Sequence, residues 1–325
     1  MWRLLAFALV FGPAAGARAQ AGPFYEPQAL TPQGFELRLS AEYHAVERTD
    51  FSRPVFLIAQ PLERLRAREL AFEVDLRLSI TPSVAVQIVL PWLARDVDVR
   101  SFGLQVTADQ TLPSRSFGIW GWGLGDPLLA LAYRFLDDRP WSAYAEFGAA
   151  IPIDDNPGSA VLATRVPLST GQHELFLGGG VALERPLELS LMYRFGYSPG
   201  EHAAFLIRRT GTQTYTSGAL APFAHHRVRA SAALALSRLF SVALTPSWTA
   251  SEQPVLVDRS TRRQVVFERV LHEITLTAAL RLKLGDHRVE LRYTEPLLSS
   301  SDEDPFFPIV IVTRGVGVAW QLVGF

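Results

Sequence analysis

The chain has 325 residues, 31 Lys+Arg against 32 Asp+Glu, and no cysteine. A balance this close to neutral, with no basic block, argues against a nucleic-acid partner. Without cysteine there is no disulfide framework, so an exported chain of this kind must take its stability from another source, such as a closed hydrogen-bonded barrel.

The first segment carries Arg3, an apolar run from Leu4 to Phe11 and then Ala17-Arg18-Ala19. This order matches an export signal with a small-x-small cleavage site, so residues 1–19 are expected to be a Sec signal peptide. The run is too short to span a bilayer as a helix, and no later window approaches the roughly twenty apolar residues such a helix needs. Any membrane crossing must therefore be made by strands. Residues 20–34 are expected to be a short periplasmic segment, and 35–325 a single barrel domain.

From Phe35 onward the pattern has a period of two. Phe35, Leu37, Leu39, Ala41 and Tyr43 alternate with Glu36, Arg38, Ser40, Glu42 and His44. Leu70, Phe72, Val74, Leu76 and Leu78 alternate in the same way with Glu69, Glu73, Asp75, Arg77 and Ser79. Successive side chains of a strand point to opposite faces, so each stretch has one apolar wall and one polar wall. The pattern predicts twelve strands, near 35–45, 69–80, 83–92, 126–136, 141–153, 173–183, 186–197, 226–236, 239–249, 272–283, 287–297 and 310–325. Five connections are tight, at Thr81-Pro82, Asp137–Pro140, Glu184-Arg185, Ser237-Arg238 and Gly285-Asp286. Six longer ones alternate with them, at about 46–68, 93–125, 154–172, 198–225, 250–271 and 298–309. This alternation is that of a transmembrane antiparallel up-and-down β-barrel of about 12 strands, with short periplasmic turns and long outer loops.

A soluble sandwich also alternates, and the partition of charge separates the two. Over the first eleven predicted strands the apolar face carries no charge before Glu295, because a charge facing lipid at mid-bilayer costs about 2–4 kcal/mol. Tyr43, Trp92, Tyr133, Trp141, Tyr193, Tyr197, Trp248 and Tyr293 fall on that face, mostly near strand ends, where interfacial girdles lie. The opposite face supplies the candidate pore lining. It comprises Glu36, Arg38 and Glu42 on the first strand and Glu69, Glu73, Asp75 and Arg77 on the second. Asp126 and Arg134 follow on the fourth, Arg194 on the seventh, Arg227 and Arg229 on the eighth, and Glu290 and Arg292 on the eleventh. Glu42, Glu69 and Glu73 stand across a twelve-strand ring from Arg227 and Arg229. Two readings follow: a transverse field across the lumen, or pairing of these charges with their neighbours. Twelve strands about 4.8 Å apart and tilted about 40° give a backbone diameter of roughly 24 Å, which leaves roughly 12 Å inside the side chains.

Gly118, Gly121, Gly123 and Gly125 are followed by a strand and not by a helix, which rules against a phosphate-binding loop and points to a bend in the wall with Asp126 at the rim. His225-His226 is the only histidine pair, and neighbours in a strand cannot share a metal, so no metal or other cofactor is expected. The Asp154–Gly158 and Asp302–Asp304 runs read as solvated loop tips. A Ser-His-Asn lipase on the barrel wall is the enzymatic alternative, but the only asparagine is Asn156, in a long connection, and no outward histidine is expected within a well-formed lipid face. A structural or adhesive barrel is the other alternative.

Ile80-Thr81-Pro82, Leu90-Pro91-Trp92, Gly123-Leu124-Gly125-Asp126, Leu129–Phe135 and Ile151-Pro152 together resemble the outer-membrane family described as "MetA-pathway of phenol degradation", over residues 69–155. The family's Pro-Thr-Gly after the fifth strand is Pro152-Ile153-Asp154 here. The resemblance implies a channel for phenolic or other hydrophobic small molecules, distantly like fatty-acid and toluene channels. The closing Phe325 resembles the terminal residue of outer-membrane proteins that the barrel-assembly machinery reads. Val316, Val318, Trp320 and Leu322 share one parity and Val323 and Phe325 the other, so the last strand carries either a bulge or a degenerate signature. The expected partners are outer-membrane lipids and lipopolysaccharide, the assembly machinery and small-molecule solutes. The expected location is the Gram-negative outer membrane.

Overall fold

In the computed structural model every described element is a β-strand. The structure describes residues 34–50, 63–101, 105–107, 110–111, 115–138, 140–153, 173–183, 187–199, 202–209, 212–220, 222–252, 256–258, 270–299 and 314–324. The expected signal peptide, Asn156, both acidic loop runs and Phe325 lie outside these residues.

Twelve strands make the wall. They are β1 (Phe35–Asp50), β2 (Glu63–Thr81), β3 (Val84–Ser101), β4 (Leu128–Asp138), β5 (Trp141–Ala150) and β6 (Glu174–Leu183). The second half comprises β7 (Leu187–Ser198), β8 (Phe223–Ala235), β9 (Phe240–Glu252), β10 (Val270–Leu284), β11 (His287–Ser299) and β12 (Arg314–Gly324). Each pairs antiparallel with the next, and β12 returns to β1 from Phe35↔Gly324 to Ala45↔Arg314. The ring is closed. Closure gives each of the twelve strands a partner on both sides, the condition for placing a sheet in hydrocarbon.

The tight turns follow from local chemistry. Thr81 Oγ1 accepts from the backbone N–H groups of Ser83 and Val84, at 3.3 and 3.0 Å. Ser237 Oγ accepts from Leu239 and Phe240 in the same way. Gly285 has φ 64° at the first position of its two-residue turn, a conformation that favours glycine.

The wall presents apolar side chains outward, with Leu131, Leu191, Leu244 and Leu291 about half exposed, and polar side chains inward. Several features depart from the expected pattern. The loop-end halves of β1, β2 and β3 are longer than the alternation indicates, and they carry outward charge at Arg68 and Asp96. A further strand, Arg115–Leu124, pairs with the outer half of β3 and leads into β4 through Gly125-Asp126-Pro127. Asp126 therefore sits within the wall and not at its rim. Two small sheets, Gln105–Thr107 with Gln110–Thr111 and His202–Arg209 with Thr212–Leu220 and Leu256–Asp258, fall where long loops were expected. The pairing of β12 with both neighbours runs without a register shift, so there is no bulge and Val323 turns inward. The outward face also holds histidines, near the ends of their strands. His226 stacks against Tyr193, lies tilted against Phe195 and is 2.8 Å from the Tyr193 hydroxyl, while His272 and His287 stack on Trp248 and Trp320.

Candidate functional site: the ion-paired lumen

The inward charges fall into two blocks, each built over a strand poor in side chains. The first lies over β6. Arg194 on β7 reaches across it to Glu146 on β5, with Nε and Nη2 at 2.8 and 3.1 Å from the two carboxylate oxygens. Both residues are about 1% exposed. The crossing is possible because Gly178 lies beneath, where a Cβ would come within 2.7 Å of Glu146 Oε1. One step along the strand, Tyr144 and Met192 meet over Gly180. The Arg194 guanidinium also lies 4.4 Å from the centre of the Phe176 ring. A buried bidentate pair with a cation–π contact keeps a charge folded that burial alone would expel. Next to it Glu174 on β6 reaches over Gly196 to His225 on β8, at 3.0 Å.

The second block lies over β12. Arg292 on β11 reaches Glu42 on β1 above Gly317, and His44 covers Gly315 with Nε2 3.0 Å from Glu42 Oε2. Arg38 and Arg281 share Glu290, at 3.3 and 2.8 Å. Toward the turn end, Gln321 donates to Glu36 at 2.6 Å, and Arg77 lies between Glu36 (3.4 Å) and Asp75 (2.9 Å). Gln87 completes the chain by donating to Asp75 at 3.0 Å. In a ring of twelve, β6 and β12 are diametrically opposed, so two braced furrows face each other across the lumen.

These contacts place the expected lining residues individually. Glu36, Arg38, Glu42, Arg77, Arg194, Glu290 and Arg292 all join inter-strand ion pairs, while Asp75 pairs with Arg77 on its own strand and accepts from Gln87 on β3. Glu69 and Glu73 are half-buried on the inner face of β2, Arg229 is half-buried on β8, and Arg227 is buried beside it. Arg134 stands apart, bonded to Asp137 near the turn end. Asp126 is buried and accepts from the Ile153 N–H at 3.3 Å, tying the join between Arg115–Leu124 and β4 to the residues just after β5. Pairing with neighbours is thus the reading that fits Glu42, although its partners are Arg292 and His44. Glu146, Glu174 and His225 escape the sequence reading as site residues, because only the register of closure shows whom they meet.

The inner wall is unevenly filled. Val89, Leu128, Ala130 and Phe176 form one buried cluster, and Ala85, Ala132, Tyr144 and Met192 another, so the face from β3 to β7 is packed. Along β8 to β12 most inward residues are half-buried.

No family model and no curated protein matches the chain. Solved structures do. An outer membrane channel from Pseudomonas putida F1 superposes with a TM-score of 0.56 at 9% identity, covering 91% of this chain and 97% of that one. The fold is that of an outer-membrane β-barrel. A mutant of the TodX monoaromatic hydrocarbon channel gives 0.49 at 10% identity, over 97% of this chain and 92% of that one. A FadL homologue from Pseudomonas aeruginosa gives 0.40 at 7% identity, over 97% of each.

Proposed function

We propose that this chain is an outer-membrane channel through which small, hydrophobic or aromatic molecules cross by passive diffusion. The observation that carries the reading is the closed ring itself, with exposed leucines outside and paired charges inside, since a wall of that polarity suits lipid on one side and a polar passage on the other. The half-buried face along β8 to β12 supplies the room. The hydrophobic or aromatic character of the solute rests on the resemblance carried by residues 69–155. Outer-membrane lipids and lipopolysaccharide are the proposed surroundings, and Phe325 the proposed signal for assembly. Single-channel recording of the purified protein in a planar bilayer tests the reading. Steady conductance is the expected result. Silence would overturn it in favour of a structural or adhesive barrel, and silence with lipase activity in favour of an enzyme.

A further inference from the structure

Between the two ion-paired blocks runs a single row of uncharged hydrogen-bonding side chains, one from each of several consecutive strands. It begins at Ser142 on β5, whose partner across the ladder is Ala182 on β6, itself opposite Ser190 on β7. Ser190 faces Ser231 on β8, and Ser231 Oγ lies 3.0 Å from Thr245 Oγ1 on β9. Thr245 is opposite Thr277 on β10, and Thr277 Oγ1 lies 3.0 Å from Thr294 Oγ1 on β11. Beyond Thr294 the row passes Gly315 on β12, His44 on β1 and Glu69 on β2.

Barrel strands tilt against the axis, so a row perpendicular to them climbs the wall. Ser142 stands beside Trp141, which begins β5 at the turn end, whereas Glu69 lies well toward the loop end of β2. The row is therefore a helical seam from one mouth of the barrel toward the other. Above it lie Tyr144, Glu146, Met192, Arg194 and Arg227. Below it lie Arg281, Glu290, Arg292 and Glu42. Ser190, Ser231, Thr277 and Thr294 are half-buried, in contrast to the packed residues above Ser142 and Ser190.

We propose that this seam is the permeation track, and that it selects small uncharged solutes bearing hydroxyl groups. The inference rests on the channel part of that reading and departs from its solute class: the hydroxyl group, and not apolar surface, is what the seam recognises. Each hydroxyl has one donor and two acceptor sites. A Ser–Thr or Thr–Thr pair uses one O–H on its neighbour, and one O–H remains for a passing molecule. A wholly apolar solute would strip water from these groups and return nothing. An ion meets charges that are already paired. A solute carrying its own hydroxyls exchanges hydrogen bonds from rung to rung.

The test uses the full-length protein in liposomes, with erythritol uptake by swelling read against potassium chloride conductance. Thr294→Val and Thr277→Val should each lower the ratio of erythritol uptake to conductance about five-fold, the factor one net hydrogen bond is worth. Thr294→Ser should restore it. Thr249→Val, an inward hydroxyl of β9 outside the row, should leave the ratio as it is, and heat-modifiable gel migration checks that each barrel has closed. An unchanged ratio in Thr294→Val, or an equal fall in Thr249→Val, would overturn the seam. A wild type that conducts salt but excludes erythritol overturns the seam alone, and one that passes neither overturns the channel reading together with it.

Discussion

Arg194 occupies a site where an unpaired cation could not remain. Its side chain is 1% exposed, and its charge is held by both oxygens of Glu146 and by the face of Phe176. Removing one partner of such a pair leaves a buried charge uncompensated, at a cost of about 3–5 kcal/mol, whereas replacing both by apolar groups of similar volume is close to neutral. Glu146→Gln is therefore expected to lower the urea midpoint of the folded barrel strongly, and the double variant Glu146→Leu/Arg194→Met to recover most of the loss. Equal losses in both would mean that the pair contributes through packing alone. At this scale the sequence was half legible. Alternation placed Arg194 inward, but nothing local to residue 194 indicates that its partner stands two strands away. The same holds for Arg38 and Glu290, which meet only because the ring closes.

Strands are where the sequence was most legible, and the reason is physical. Between two interfaces one face meets hydrocarbon and the other does not, so the period of two is enforced residue by residue. Beyond the interfaces both faces meet water, and the pattern lapses. The outer half of β2, with Arg64, Arg66 and Arg68, and that of β3, with Asp96 and Asp98, are strands that carry no such signature. The lipid-facing assignment has a direct check. Leu191 is half exposed on the outer face and should lie near mid-bilayer. Leu191→Arg is expected to destabilise by about 2–4 kcal/mol and to reduce assembly, while Ser231→Arg, facing inward, should assemble normally. A second check concerns β6, whose glycines read in sequence only as a gap in the alternation. A Cβ at Gly178 would meet both Glu146 Oε1 and the Tyr193 carbonyl at 2.7 Å. Gly178→Val should cost about 1–3 kcal/mol through overpacking. Thermal melting in detergent would measure the loss, and an unshifted transition would show that the furrow is not needed for the crossing.

For the molecule as a whole, five short turns force five antiparallel neighbours, and closure followed from the charge-free apolar face, because a sheet in hydrocarbon tolerates no open edge. If the long connections face outward, an epitope inserted near Gly158 or Gly211 should be detected on intact cells, and one at Gly285 only after the envelope is opened. Surface labelling at Gly285 would invert the barrel. The bridge from Glu42 to Arg292 has one more consequence, and it concerns time. It joins the first strand to the eleventh over the twelfth, so it cannot form until the last strand made has met the first. An unfinished barrel therefore holds an anion on one lip of its open seam and a cation on the other. Each lip is costly to bury in lipid by itself, and the two attract across the gap. The pair acts as a latch: its open state discourages a half-built sheet from settling into the bilayer, and its shut state is reached only by the complete ring.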